Sequence, residues 1–330
     1  MKIVSFEIPE PPAKTPPSGA GGPFTFHRHK MLFGIDLGGT KIEGVVLQSA
    51  TNPKVAARQR IDTEADRGYE HILNRIASLV RELATTTGAQ PQKVGIGTPG
   101  ALDPITETLK NSNTLCLNQM PFRRDLEAKL QLPVSMANDA NCFALAEARL
   151  GAAKREMPQA ETVFGVIMGT GVGGGIVVNG RVLNGRQGIA GEWGHNFLDE
   201  SGGACYCGKT GCVERVLSGP SLQRFYHSVS GNQLTMKQIM QQYHAGNDPH
   251  ATATVRRLIE MFGKAMSVVI NILDPDVIVL GGGVSNIELL YTEGVAEVRK
   301  HVFNSRLDTV FLKPELGDSA GVFGAAMLTV

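Results

Sequence analysis

The sequence predicts an α/β protein whose second half repeats the first in outline. Two strand–glycine-turn–strand units carry that prediction, together with long helical stretches and a late buried strand. Residues 31–36 (MLFGID) form an apolar run ending in an acid. Leu37-Gly38-Gly39-Thr40-Lys41 then turns the chain into a second apolar run at residues 42–47. Residues 163–168 (VFGVIM), the turn at residues 169–175 (GTGVGGG) and a strand at residues 176–179 repeat the pattern. Ile72, Ile76, Leu79, Val80 and Leu83 recur at helical spacing. So do Val255, Leu258, Ile259, Phe262, Met266, Val269, Ile270 and Leu273, which read as one core-facing stripe.

Between these landmarks, residues 54–61 supply a third strand, and residues 94–97 a strand entering the Thr98-Pro99-Gly100 turn. Residues 133–136 lead into Ala137-Asn138-Asp139-Ala140-Asn141 and an alanine-rich helix through Arg149. Asp274-Pro275-Asp276 ends the long apolar helix. Residues 277–280 then form a buried strand opening on Gly281-Gly282-Gly283. Gly317 to Gly321 precede a small-residue helix reaching Met327.

A length of 330 residues with 42% hydrophobic content allows about two domains around a substantial core. Lys plus Arg at 32 against Asp plus Glu at 31 gives a net charge of +1. That balance offers no footprint for nucleic acid or for an anionic membrane surface, and it favours a small-molecule ligand. Five cysteines, an odd number, argue against a disulfide framework and for a reducing, cytoplasmic setting. No apolar run approaches the ~18 residues of a membrane span. Residues 1–30 hold six prolines and read as a disordered extension, with translation starting at Met31 as a further expectation.

Glycines in the first turn let backbone N–H groups approach a phosphate, Thr40 adds a hydroxyl, and Asp36 could hold hydrated magnesium. An ordinary hairpin turn is the competing reading. The second turn, with Gly169, Thr170, Gly171 and Gly173, reads as another cradle, and two such loops could clasp a polyphosphate. The triple glycine at Gly281, Gly282 and Gly283 suits a backbone passing close to a nucleoside. Asp139 could accept a proton from an attacking hydroxyl, or it could cap the helix that follows.

Residues 191–214 (GEWGHNFLDESGGACYCGKTGCVE) bring His195 next to Cys205, Cys207 and Cys212. One imidazole and three thiols make the ligand set of a closed structural zinc site, since no position remains for water. Unliganded buried thiols are the alternative. Glu192 and Glu214 flank the set and could accept sugar hydroxyls, or could be solvated surface acids.

E-x-G-H followed by C-x-C-G-x-x-G-C-x-E resembles the signature of the ROK family of bacterial sugar kinases and sugar-responsive repressors, from about Met31 to Ala326. The resemblance implies two ribonuclease-H-like domains of the actin and hexokinase superfamily with a cleft between them. Residues 31–137 with 316–330 would form the smaller domain, and residues 138–315 the larger one with the zinc loop. It implies ATP and Mg2+ as cofactors, with Asp139 as general base. Asn113, Asn138, Glu192, His195 and Glu214 would sit on the sugar. Lys41 would join the first turn at ATP, and His195 would bind both zinc and sugar. A homodimer or larger homo-oligomer is implied as well.

The segments AGEWGHN, LNxxPF and ANDANC most resemble fructokinases of the mannokinase type, so fructose is the expected substrate, with N-acetylglucosamine or glucose as alternatives. A sugar-sensing repressor would need a helix-turn-helix, which the prolines of residues 1–30 do not permit. A sugar-binding protein without turnover is the remaining class.

Overall fold

The computed structural model describes residues 31–330. The expected extension over residues 1–30 lies outside them. The first sheet contains β1 (Leu32–Leu37), β2 (Lys41–Leu47), β3 (Val55–Asp62) and β4 (Val94–Thr98). A short hairpin of β5 (Ala101–Leu102) and β6 (Leu109–Lys110) follows, and β7 (Val134–Asn138) returns to the first sheet. The second sheet contains β8 (Thr162–Met168), β9 (Val172–Val178), β10 (Arg181–Val182), β11 (Val277–Gly281) and β12 (Val310–Leu312). Their orders are β3-β2-β1-β4-β7 and β10-β9-β8-β11-β12. In each, an antiparallel meander is extended by two parallel strands, so the repeat anticipated from the two glycine turns is a repeat of topology.

The helices are α1 (Tyr69–Thr87), α2 (Phe122–Leu130), α3 (Asp139–Arg149), α4 (Ala152–Glu156), α5 (Val213–Leu217), α6 (Gly219–Ser230), α7 (Met236–Ala245), α8 (Pro249–Leu273), α9 (Glu293–His301) and α10 (Ala320–Met327). Alternation along β1 decides the layers. Phe33, Ile35 and Leu37 join the core beneath α1 and α2, while Leu32 points to the opposite core. That opposite core contains residues of both sheets together with α3 and α10, so these two helices are the layer between the sheets.

Close backbone approach makes the layer thin. A Cβ on Gly34 would lie 2.4 Å from Ala326 N, and one on Gly324 would lie 1.8 Å from Cys142 O. The chain enters the second sheet's half through β7 and α3 and returns through residues 313–319. The return is anchored by Glu147, whose fully buried carboxylate accepts backbone N–H groups of Ala152 at 2.8 Å, Leu316 at 3.0 Å and Glu315 at 3.1 Å.

In the second half, α8 begins where Asp248 accepts from His250 N and Ala251 N, with Pro249 fitting the first turn. It ends at Asp274 in the left-handed conformation. Among the described residues no helix is long and apolar enough to cross a membrane. One boundary differs from the sequence reading, because Gly173, Gly174 and Gly175 belong to β9 and not to the turn. Their lack of side chains serves packing: a Cβ on Gly174 would meet Trp193 at 2.6 Å, and one on Gly175 would meet Ala140 O at 2.4 Å.

Candidate active site

Asp36 is the penultimate residue of β1 and Asp139 opens α3, and a cavity of about 530 Å3 has both on its wall. Its other lining includes Gly281, Gly282, Gly283, Asn286, Tyr291 and Lys313. Asp36 sits in a notch made by two glycines: a Cβ on Gly97 would stand 3.2 Å from its Oδ1, and one on Gly321 2.8 Å from its Oδ2. Burial lifts the Asp36 carboxyl, the carboxylates of Asp139 and Glu43 lift it further, and the Arg60 guanidinium pulls it back, leaving it at about 7. Asp139 faces the cavity but is otherwise surrounded by protein, which raises its pKa above the ordinary carboxylate value. Two acids repelling each other at an open cavity suit a hydrated divalent cation, which would favour both charged forms.

The helix cap falls to Asn138, not Asp139. Asn138 Oδ1 accepts from Asn141 N at 2.8 Å, while Asp139 is the first helical residue and accepts from the adjacent Ala140 N at 2.8 Å and from its own N–H. Capping therefore does not explain Asp139. Asn138 also hydrogen-bonds the Glu192 carboxylate, so a ligand would have to share or replace that contact. Glu192 is raised mainly by burial. The charges of Asp139 and Glu214 add to the rise, and His195 and Asn138 oppose it. Asn138, Asp139, Glu192, His195 and Glu214 thus converge on one locus. Glu214 reaches further, since its Oε2 accepts from Val172 N at 3.0 Å and ties the locus to the second glycine turn.

His195, Cys205, Cys207 and Cys212 place their ligand atoms within 4.8 Å of one another. Cys205 Sγ lies 3.7 Å from His195 Nδ1, and Cys207 Sγ 3.6 Å from Cys212 Sγ. Zn–S bonds of about 2.3 Å in a tetrahedron put sulfurs about 3.8 Å apart, so the set fits zinc. Burial and the neighbouring thiols push the Cys212 thiol up to about 12. A central cation would reverse that by stabilising the thiolates. All five cysteines are free thiols, and isolated bridges Phe197↔Cys212 and Ala204↔Thr210 hold the loop's backbone.

Several residues expected at the site stand differently. Lys41 is ion-paired with Asp62, and both side chains are largely exposed. Gly38 N is spent on Lys41 O and Gly169 N on Gly171 O, each at 2.9 Å, so those two N–H groups close turns and do not face outward. Gly39, Thr40 and Thr170 remain on exposed turn tips. Gly173 gives its carbonyl to Trp193 Nε1 at 3.0 Å. Removing it from the phosphate cradle follows from its place in β9, where the strand's packing on Trp193 decides its role. Asn113 is exposed, beside Thr114, whose hydroxyl would lie 3.6 Å from a Cβ on Gly39. Asn111, not Asn113, lines a groove with Glu192 and His195.

Two features escaped the sequence reading. Glu43 pairs with Asp36 across β1 and β2 and binds Arg58 and Arg60, and Arg58 also bonds Ser319. Cross-strand register would have suggested the acid pair. Tyr206, between two of the cysteines, reaches His195 Nε2 at 3.0 Å.

Two repeated sheets with a helix pair between them, and a cavity lined from both, define the actin and hexokinase kind of two-domain α/β protein. The chain belongs to the ROK family, whose sequence model matches residues 32–330. It is 36% identical over 312 residues to an N-acetyl-D-glucosamine kinase of Aliivibrio fischeri, covering 91% of this chain and 99% of that one. Among solved structures it is similar to a ROK hexokinase from Thermus thermophilus, with 31% identity and a TM-score of 0.81 over 90% of this chain and 97% of the other. It also matches a ROK glucokinase from Streptomyces griseus in complex with glucose and AMPPNP, with 28% identity and a TM-score of 0.71 over 90% and 98%.

Proposed function

We propose that this chain is an ATP-dependent hexose kinase and that N-acetylglucosamine is its preferred sugar. The observation that carries the reading is the cavity of about 530 Å3 in which Asp36, Asp139 and the triple glycine meet. ATP would enter there, with the nucleoside against Gly281 to Gly283 and the phosphates towards Gly39, Thr40, Thr170 and Gly171. Magnesium near Asp36 would neutralise the phosphates and align them.

The sugar would lie between Asn138, Glu192, His195 and Glu214, with its attacking hydroxyl at Asp139. That carboxylate receives the hydroxyl proton as the terminal phosphoryl group moves to the sugar oxygen. Glu192 and Glu214 accept hydroxyl hydrogens, and His195 Nε2 donates to a sugar oxygen. Zinc on His195 Nδ1 and the three cysteines would hold the loop rigid without touching the reaction. Residues 31–137 with 316–330 would close on residues 138–315 and exclude water, which limits hydrolysis of ATP. Free thiols throughout suit a reducing, cytoplasmic setting.

The motif segments put fructose first, but relatives such as the Aliivibrio fischeri protein are N-acetyl-D-glucosamine kinases, which supports placing that sugar ahead of fructose. Catalytic efficiencies for N-acetylglucosamine, glucose, mannose and fructose, read as ADP formed with ATP and magnesium, test both levels of the reading. N-acetylglucosamine should lead by at least ~10-fold, the lower end of what one additional small group fitted by a pocket contributes. A different leading sugar would correct the specificity, and no ADP with any of the four would overturn the kinase reading.

A further inference from the structure

Tyr206 is carried between Cys205 and Cys207, so the loop that gathers the thiols also sets the position of its backbone. Its hydroxyl lies 3.0 Å from His195 Nε2, and the two rings meet edge to face with centroids 5.2 Å apart. The other ring nitrogen, Nδ1, is turned to Cys205 Sγ. With Nδ1 bound to a metal, the imidazole proton resides on Nε2, which then donates to the phenol oxygen. This is the same N–H that the kinase reading gives to a sugar oxygen.

Tyr206's chain neighbour Cys207 and its partner His195 both line the groove that holds Glu192, so the phenol stands at the edge of that groove and not on a remote surface. Yet Tyr206 is 83% exposed. Little packing holds the ring in place, and rotation about its side-chain bonds would carry it into water.

We propose that Tyr206 is a specificity latch on the sugar pocket. In the empty site its oxygen takes the place of a substrate oxygen on His195 Nε2, and a sugar binds by displacing it. The latch rests on the hexose-kinase reading. It would discriminate by chemistry: a sugar that presents a well-placed oxygen to Nε2 recovers the bond it breaks, and one that does not leaves a donor unpaired. The rival role for such a tyrosine is to orient the metal-bound imidazole from behind, and the two roles predict opposite effects of removing the hydroxyl.

Calorimetric titration of N-acetylglucosamine, glucose, mannose and fructose into the zinc-loaded wild type and Tyr206→Phe, without ATP, separates them. Steady-state kinetics and zinc content are measured on the same samples. For the sugar the wild type accepts, the latch predicts about 2- to 10-fold tighter binding in Tyr206→Phe, the range expected for one competing hydrogen bond, with the gain appearing in KM and zinc unchanged. Tyr206→Leu should show the same direction and guards against an effect of the phenyl ring. Weaker binding, with or without loss of zinc, would overturn the latch and assign Tyr206 to orienting His195 or to holding the sugar. Equal binding would also overturn it while leaving the kinase reading intact. A wild type that binds no hexose and forms no ADP would remove both.

Discussion

Asn138 caps helix α3 through Asn141 N at 2.8 Å, and this bond fixes the direction in which the next residue, Asp139, enters the cavity. The arrangement separates structure from chemistry in adjacent residues. Asp139→Asn should therefore fold and bind sugar while kcat falls at least ~100-fold. Retention of full turnover, with binding intact by calorimetry, would remove the proposed base.

Because burial raises the Asp139 pKa, its charged form is disfavoured in the folded protein. As a base it must be deprotonated, so kcat/KM should fall as pH drops through that raised value, with an acid limb above the ordinary Asp pKa of about 3.9. The stability sign is opposite. A raised folded pKa gives a contribution present below the unfolded pKa and lost as pH rises through the folded one. Without ligand or magnesium, Asp139→Asn should therefore melt at a higher temperature than wild type at neutral pH, and the difference should shrink on acidification. A melting temperature unchanged at neutral pH would show that the carboxylate is not held at a cost.

Zinc content tests the thiol cluster independently of activity. Cys207→Ser should lose stoichiometric zinc and lower the melting temperature, because three remaining ligands no longer close the tetrahedron. Full zinc occupancy in that variant would discredit the ligand set.

Gly282 sits at φ 84°, and a Cβ there would stand 2.4 Å from Met168 O. Gly282→Ala has to relieve both the left-handed strain and the overlap, together about 2–5 kcal/mol. The expected result is a lower melting temperature and a higher KM for ATP, with sugar affinity measured without ATP retained. An unchanged KM for ATP would detach this turn from the nucleotide.

Glu147→Ala would leave the buried Ala152 N–H, and the part-buried N–H groups of Glu315 and Leu316, without their acceptor. The cost should be about 1–3 kcal/mol in urea unfolding, the range for one orphaned buried group, since water can reach the other two. Glu147→Gln, which keeps one acceptor oxygen, should lose less. Equal stability in the alanine variant would show that the return crossing is held by packing alone.

Local pattern was enough to find β1, β2, β4, α1, α8 and β11, because alternation and helical spacing are set by neighbours in the chain. The same holds for the candidate zinc ligands, which lie within eighteen residues of one another. Contacts between distant segments had to come from the fold. Gly173 reads as part of a phosphate turn until Trp193, twenty residues on, claims its carbonyl. Lys41, which the resemblance would put at ATP, is instead paired with Asp62 on β3. The choice of Asn138 over Asp139 as cap depends on which carbonyl points along the helix axis, and two adjacent cap-forming residues do not reveal that.

The sequence by itself therefore determined the duplicated α/β plan, the acid that opens α3 and the cysteine–histidine set, each of which is written in spacing. Only the tertiary structure decided that Asp36 and Asp139 share a cavity, that Glu147 holds the return crossing, and that Tyr206 stands on His195. Those relations arise where α3 and α10 press two sheets together and where a loop folds on itself, and no periodicity in a chain records which of its distant parts will meet.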